Sequence, residues 1–280
     1  MQKITRQPMQ LGEGPLWHQG RLLWVDLVAG RSWQSGADGE VLLTDREMLT
    51  SLVPGKDGSL YATSATGFRR GVAAPEPIGG LAITDARLRF NDGKADPFGN
   101  YWAGTMDRSC QAPDWGTLYL LTPGGQVKPM LAGIGVSNGL AWSADGTVFY
   151  YIDSLRQKIE AFDFHPGRLE ISRRRTVLDI PGQALPDGMC IDRDGLLWCA
   201  LWAGQSVIAV DPKRGSIEHR LAVPAYHATS CCFGGAGLDE LFITTASIEV
   251  PPDRVAEFPD SGHVFRCTPG ARGLPADTYG

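Results

Sequence analysis

Short apolar segments with a central aromatic residue recur along the whole chain. Six of them, LLWVDL, SLYATS, NYWAGT, FYYIDS, LLWCAL and ELFITT, align on the landmarks Trp24, Tyr61, Trp102, Tyr151, Trp198 and Phe242. Consecutive landmarks are roughly 37 to 49 residues apart, and helical periodicity is nearly absent. This spacing is typical of four-stranded propeller blades. The pattern therefore predicts an all-β fold, a six-bladed β-propeller of four-stranded antiparallel blades, with residues 1–280 as a single domain.

Glycine-containing pairs separate the apolar segments. They are Asp38-Gly39, Asp57-Gly58, Gly124-Gly125, Asp145-Gly146 and Asp194-Gly195. Such pairs supply the positive φ that a tight β-hairpin needs. A β-sandwich or two separate β domains is the alternative architecture. Nothing resembling a linker interrupts the repeat, and this favours the propeller.

Composition and charge exclude several classes of function. The chain has 43% hydrophobic and 20% charged residues, a net charge of −5 and only one short basic run, Arg173 to Arg175. We therefore expect a globular protein that does not bind nucleic acid. The sequence has no apolar signal-peptide core and no window of membrane-spanning length. A cytoplasmic location, no membrane association and a monomer or weak oligomer are expected.

Cysteine and histidine usage limits the kind of metal site. The six cysteines form no Cys-x-x-Cys pair, and the five histidines show no His-x-x-x-His spacing. A disulfide framework or a zinc site of sulfur and nitrogen ligands is therefore not expected. Any metal site in this chain must be built mainly from oxygen.

Polar residues stand at matching places, about eleven to thirteen residues before each aromatic landmark. They are Glu13, Thr50-Ser51, Asn91-Asp92, Asn138, Asp187 and Ser230. In a propeller this position begins the innermost strand of each blade, so the six sites should converge on one end of the central channel. Three of these residues are a carboxylate, an amide and a carboxylate that stand alone at their position, each followed at once by glycine, which lets the backbone pack closely near the axis. They are Glu13, Asn138 and Asp187.

Two carboxylates and one amide are hard oxygen donors that suit a divalent cation. The sequence therefore predicts a site for one divalent metal at Glu13, Asn138 and Asp187. Calcium, zinc, manganese, magnesium and ferrous iron all remain open. The alternative is that the Asn-Gly and Asp-Gly pairs are only turns. Glu13 argues against it, because a carboxylate beside an apolar Pro-Leu-Trp segment needs a partner or a metal.

These residues also carry a resemblance to a known family. The segments GEGPLWHQGRLLWVD, RFNDGKADPFGNYWAGTMD, SNGLAWSADGTVFYYIDS, PDGMCIDRDGLLWCA and TSCCFGG span nearly the full chain. Together they resemble the SMP-30/gluconolactonase family, which includes regucalcin-like proteins and bacterial sugar-lactone hydrolases. The resemblance implies a six-bladed propeller that holds one divalent metal and hydrolyses a sugar-acid lactone, a small-molecule substrate. It implies Glu13, Asn138 and Asp187 as metal ligands, and Arg89 and Asn91 of RFNDGK as substrate contacts.

Lactone hydrolysis needs a polarised carbonyl, an activated water and a stabilised oxyanion. A divalent metal can polarise the carbonyl and stabilise the oxyanion, and Asp187 is the candidate general base. Arg89 and Asn91 would orient sugar hydroxyls. After GTM the chain departs from the regucalcin pattern, and Asp107 is predicted to replace an acidic lid contact. Asp92, which precedes a glycine, is interpreted as an ordinary turn residue.

Other functions compete with this hypothesis. Residues 135–139, GVSNG, match the G-x-S-x-G motif of serine hydrolases. That motif requires a strand followed by a helix, whereas the next residues predict strand, turn and strand. Phosphotriester hydrolysis by a related calcium propeller is a second alternative. The third is a non-catalytic calcium-binding or interaction propeller, which would need no carboxylate ring.

Overall fold

The computed structural model describes residues 1–37 and 39–280, and within them it confirms the predicted all-β, six-bladed propeller. No α-helix occurs in these residues, which contain only two short 3-10 turns, Ser154–Arg156 and Val255–Glu257. None of their helices is long and apolar enough to cross a membrane. Asp38, half of one predicted turn, lies outside the described residues.

Each blade is an antiparallel sheet whose strands run outward from the channel. Strand β1 is Gln2–Lys3. Blade 1 contains β2 (Gly12–His18), β3 (Arg21–Asp26), β4 (Arg31–Gly36) and β5 (Gly39–Thr44). Blade 2 contains β6 (Leu49–Pro54), β7 (Leu60–Ser64), β8 (Phe68–Arg70) and β9 (Glu76–Pro77). Blade 3 contains β10 (Leu88–Ala95), β11 (Tyr101–Asp107), β12 (Gly116–Leu121) and β13 (Val127–Ile134).

The remaining blades follow the same plan, with one exception at the end of the chain. Blade 4 contains β14 (Ser137–Trp142), β15 (Val148–Asp153), β16 (Lys158–His165) and β17 (Glu170–Asp179). Blade 5 contains β18 (Leu185–Ile191), β19 (Leu197–Trp202), β20 (Ser206–Asp211) and β21 (Ser216–Ala222). Blade 6 contains β22 (His227–Gly234), β23 (Glu240–Ala246) and β24 (Phe265–Cys267), and takes β1 as its outer strand.

Strand β1 closes the propeller. It pairs antiparallel with β24, with Gln2 opposite Arg266 and Lys3 opposite Phe265. The first and last parts of the chain therefore share one sheet, and backbone hydrogen bonds complete the ring of blades. The sequence pattern does not reveal this pairing, because two polar residues carry no strand signal.

Two of the aromatic landmarks are anchored by buried aspartates six residues before them. Trp102 Nε1 donates to Asp96 Oδ2 at 2.8 Å, and Trp198 Nε1 donates to Asp192 Oδ2 at 2.8 Å. The other oxygen of each carboxylate accepts backbone N–H groups of the intervening turn. In the second turn Gly195 has the predicted positive φ, +86°. Each aspartate thus closes a hairpin and fixes the ring that fills the blade core.

All six innermost strands carry a register shift at the predicted ring position. The shifts lie between Glu13 and Leu16, Leu49 and Ser51, Phe90 and Gly93, Asn138 and Leu140, Pro186 and Met189, and Ala228 and Ser230. A β-bulge of this kind re-aims a side chain and bends the strand. The bulges therefore direct the ring residues of every blade away from the regular ladder.

Glycine permits close packing of neighbouring innermost strands at this level. A Cβ on Gly188 would lie 2.1 Å from Ser230 Oγ, and a Cβ on Gly139 would lie 2.7 Å from the carbonyl oxygen of Asp187. Neither contact is possible for a real side chain. The predicted close approach of the backbones beside the axis is confirmed.

Candidate metal and substrate site

The structure brings together the three residues that the sequence predicts as metal ligands. Glu13 lies on β2, Asn138 on β14 and Asp187 on β18, and these residues are only 8%, 5% and 6% exposed. Glu13 and Asp187 are close enough to interact electrostatically, and the neighbouring Asn138 side chain partly opposes the rise in the pKa of Asp187. The three side chains therefore share one buried polar space at one end of the channel.

The amide of Asn138 is oriented by a residue that sequence reasoning missed. Its Nδ2 donates to Ser154 Oγ at 3.0 Å, and that hydroxyl donates to the carbonyl oxygen of Pro186 at 2.6 Å. Since the nitrogen is held in this way, the amide oxygen is available as an acceptor. Ser154 directly follows the FYYIDS strand, and nothing in the sequence distinguishes it from any other turn serine.

The electrostatics of the site favour a cation. Burial, followed by the nearby Asp92 carboxylate, raises the pKa of Glu13. Burial, followed by the charges of Glu13 and Asp92, raises the pKa of Asp187 well above its ordinary value. The guanidinium of Arg89 opposes the shift at Glu13. Burial and mutual repulsion thus disfavour the ionised forms of these carboxylates despite the nearby charges of Arg89 and Lys94, and a divalent cation would stabilise the ionised forms.

Asp92 is not the turn residue that the sequence analysis predicted. It lies within β10, is 8% exposed, and its Oδ1 accepts the backbone N–H of Gly93 at 2.7 Å. Gly93 does not have a positive φ. Glu13 makes the same kind of bond to the N–H of Gly14, at 3.0 Å. Asp92 precedes a glycine at a matched repeat position, as Glu13 and Asp187 do. This sequence feature could have identified Asp92 as a residue beside the ring.

The donor set fits a hard divalent cation only if the amide takes part. Within the described ranges, no group of three or more His, Cys, Asp or Glu side chains is arranged to hold a metal ion. The candidate centre instead has the carboxylates of Glu13 and Asp187 and the oriented oxygen of Asn138. Carboxylate and amide oxygens are ligands that such cations accept, often together with water.

The predicted substrate residues lie directly against this centre. Arg89 Nη1 donates to Asn91 Oδ1 at 2.6 Å and to the carbonyl oxygen of Phe90 at 3.0 Å. Asn91 Nδ2 donates to the carbonyl oxygen of Ser137 at 2.8 Å and lies 3.4 Å from Asn138 Oδ1. A hydrogen-bonded chain thus runs from the guanidinium to a candidate metal ligand. Burial lowers the pKa of Arg89 to about 10, so that side chain remains a cation near neutral pH.

Asp107 organises the loop that follows β11. Its carboxylate accepts hydrogen bonds from the hydroxyl of Ser109 and from the backbone N–H groups of Gln111 and Ala112. The Ser109 bond, with these backbone bonds, lowers the pKa of Asp107 to about 2. The carboxylate is therefore ionised, and its oxygens are bonded within its own loop.

Ser137 is not placed as a hydrolase nucleophile. It is fully buried on β14, and its Oγ accepts a hydrogen bond from Tyr151 Oη at 2.7 Å. A Cβ on Gly104 would lie 1.9 Å from the same Oγ, so the hydroxyl is enclosed. In the part of the chain that the structure describes, β15 rather than an α-helix follows β14. The strand and helix of a nucleophile elbow are absent there.

The fold and the site define a class: a six-bladed propeller with a cluster of buried oxygen donors at one end of its channel. The sequence pattern of the SMP-30/Gluconolactonase/LRE-like region matches residues 11–247. This chain belongs to that family.

Named relatives extend the comparison over nearly the whole chain. Regucalcin from Oryctolagus cuniculus is 37% identical over 282 residues, which cover 96% of this chain and 94% of the relative. The structure of a calcium-binding regucalcin from Agrobacterium tumefaciens has a TM-score of 0.92 at 22% identity, covering 99% and 96% of the two chains. A gluconolactonase from Xanthomonas campestris has a TM-score of 0.71 at 26% identity, covering 84% and 83%.

Proposed function

We propose that this chain hydrolyses the lactone of a sugar acid to the free aldonic acid, with the help of one divalent metal ion. The observation that carries the proposal is the hydrogen-bonded chain from Arg89 through Asn91 to Asn138, which joins the proposed substrate-binding residues to one proposed metal ligand. Membership of the SMP-30/Gluconolactonase/LRE-like family supports the reaction class. The gluconolactonase of Xanthomonas campestris supports the substrate class.

Glu13, Asn138 and Asp187 are the proposed metal ligands. When bound, a divalent cation supplies Lewis acidity toward the lactone carbonyl and lowers the pKa of water. Asp187 is the proposed general base, because its carboxylate interacts with both Glu13 and Asp92 and, in its ionised form, can accept the proton of the attacking water. It can then return that proton to the ring oxygen that leaves.

Arg89 and Asn91 are the proposed substrate-positioning pair. The hydrogen bonds of Arg89 Nη1 to Phe90 and Asn91 hold the guanidinium in one orientation. Little further conformational entropy of this side chain is therefore lost when it binds a sugar hydroxyl. Asp107 is the third proposed substrate-binding residue. Its carboxylate oxygens accept hydrogen bonds from residues 109–112, so we propose that Asp107 affects substrate binding by holding this loop in position. A cytoplasmic monomer or weak oligomer acting on a small molecule remains our expectation.

A paired assay tests the proposed function. Chelator-treated protein is supplied separately with calcium, magnesium, manganese, zinc or ferrous iron. Each preparation is offered the lactones of gluconic, xylonic and arabinonic acid and, in parallel, a phosphotriester, with proton release as the readout. We expect metal-dependent turnover of at least one aldonolactone and little of the phosphotriester. Equal rates with and without metal, or preference for the phosphotriester, would contradict the proposal.

A further inference from the structure

A cavity opens at the end of the channel opposite the ring residues. Its volume is about 680 Å³, and it is lined by residues that follow the ring positions on the innermost strands of all six blades. Residues 274–278 also line it. Two cysteines reach this cavity, Cys190 on β18 and Cys232 on β22, and both are half-buried. Small molecules that enter from this end therefore meet thiols rather than the oxygen donors of the ring.

Cys190 also contacts a third thiol. Its Sγ lies 3.7 Å from the Sγ of Cys231, which is buried on β22 at 2% exposure. The Cys231 thiol donates to the carbonyl oxygen of Trp198 at 3.2 Å, so its position is fixed. Strands β18 and β22 are already in contact, since no side chain larger than hydrogen fits at Gly188 against Ser230. The two strands that carry these sulfurs are therefore packed side by side.

We propose that Cys190 and Cys231 are an oxidisable pair, a modification site at which a low-molecular-weight disulfide converts two thiols into one disulfide between blades 5 and 6. The Cys190 thiolate attacks one sulfur of the oxidant, forms a mixed disulfide and releases one thiolate. The Cys231 thiolate then attacks Cys190 Sγ and releases the second. In sum, two protein thiols and one small disulfide give one protein disulfide and two small thiols.

The surroundings assign the order of the two steps. The contact with Cys190, together with burial, raises the pKa of Cys231, so the accessible Cys190 reacts first. Lys94 lies nearby, with its Nζ donating to the carbonyl oxygen of Met189 at 2.7 Å. Its positive charge opposes the rise in the pKa of Cys231 and so assists the second attack. Closing the sulfur–sulfur distance to the roughly 2.05 Å of a disulfide requires side-chain rotation.

The neighbouring cysteines are poorer partners. Cys232 is adjacent to Cys231, and successive side chains of a strand point to opposite faces. The Cys199 thiol is fully buried and donates to the carbonyl oxygen of Ala200 at 3.3 Å. Cys110 is exposed in the loop after β11, on the side of the ring residues. The disulfide between Cys190 and Cys231 would join β18, the strand that carries Asp187, to β22 of blade 6.

Peptide mapping of the intact protein tests the pair. The protein is incubated with glutathione disulfide, free thiols are blocked, and the chain is cleaved with trypsin without reduction. We expect residues 176–193 linked to residues 221–254, with fragment ions that place the bond on Cys231 and not on Cys232. Cys232→Ser should keep this link, and Cys231→Ser should lose it while retaining the β-sheet circular dichroism of the parent.

Other results overturn the inference, and none depends on a variant that might not fold. In the unmodified sequence, a link to Cys232 or Cys110 would show that the contact does not select the partner. A stable glutathione adduct on Cys190, without loss of the second glutathione, would show that Cys231 cannot resolve it. An unmodified Cys190 thiol would show that Cys190 is not accessible through the cavity.

Discussion

The Asn138 side chain donates from Nδ2 to the hydroxyl of Ser154 at 3.0 Å, and this one bond decides which atom of the amide is available at the ring. The same hydroxyl donates to Pro186, the residue before Asp187. Ser154 therefore connects the strands that carry two of the three candidate ligands. Outer partners of this kind orient metal ligands, and their loss typically weakens metal binding by about 10- to 100-fold.

Ser154→Ala should weaken binding of the divalent cation by about 10-fold or more while leaving the propeller folded. The amide of Asn138 would lose the bond that orients it. Calorimetric titration of chelator-treated protein with calcium or manganese measures this directly. Ser172→Ala is the matched control, since Ser172 lies on the outer strand of the same blade and bonds to His165. Equal metal affinity in the two variants would show that Ser154 does not orient a metal ligand.

The stability of the metal-free protein should fall as pH rises. Burial and the charge of Asp92 raise the pKa of Glu13 from 4.5 to about 8 in the folded chain. The folded state then binds this proton more tightly than the unfolded state, so the free energy of unfolding decreases as pH rises from about 4.5 to about 8. Melting temperatures of chelated protein across this range should show the decline. Saturating metal should reduce it, because the cation stabilises the ionised carboxylates.

Glu13→Gln should make this pH dependence shallower. The amide keeps the size of the side chain but carries no charge, so its burial costs less at high pH. The metal-free variant should melt at a higher temperature than the parent near pH 8, although it binds metal more weakly. Glu218→Gln, an exposed change on β21, should leave the curve unchanged. If Glu13→Gln also leaves it unchanged, the carboxylate does not interact with its neighbours as described.

Asp187→Asn should lower turnover of the lactone by at least about 100-fold, and the loss should persist at saturating metal. The variant keeps the side-chain size and one oxygen donor, but removes the proposed base. Turnover measured against metal concentration, together with the melting temperature, separates the possible roles. Recovery of the rate with excess metal would leave Asp187 as a ligand only. Full turnover at every metal concentration would end its assignment to the site.

Ser137→Ala and Asn138→Ala, substitutions at neighbouring positions of β14, should have different effects on stability and metal binding. Removing the Ser137 hydroxyl leaves the buried hydroxyl of Tyr151 without this partner, which costs about 1–3 kcal/mol of stability, but most activity should remain. Removing the Asn138 amide should weaken metal binding. Thermal melts, metal titrations and turnover on the same preparations compare the two. Loss of turnover in folded Ser137→Ala would restore the serine-hydrolase hypothesis.

Chelation should abolish lactone turnover without unfolding the chain. The blade cores are apolar and extensive, and they do not include the ring residues, so the scaffold does not depend on one ion. Circular dichroism and activity, followed together during chelation and after metal is restored, measure both effects. A loss of β-sheet signal that coincides with the loss of turnover would contradict this separation of site and scaffold.

The sequence by itself determined the architecture and most of the candidate site. Blades are local structures, in which each strand pairs with the next through a short turn. The number of repeated aromatic landmarks, which begin with Trp24 and Tyr61, therefore predicts the number of blades directly. Repeat symmetry then placed Glu13, Asn138 and Asp187 at corresponding positions. No contact between distant residues had to be known to make these predictions.

Only the tertiary structure decided the features that join one blade to another. The pairing of β1 with β24 connects opposite ends of the chain. Ser154 acts through Pro186 on the next blade, and Asp92 belongs to the site through its electrostatic interactions with Glu13 and Asp187. The contact of Cys190 with Cys231 likewise depends on how β18 packs against β22. These relationships arise from the angle and spacing at which folded blades meet. A local pattern of apolar and polar residues does not determine this angle or this spacing.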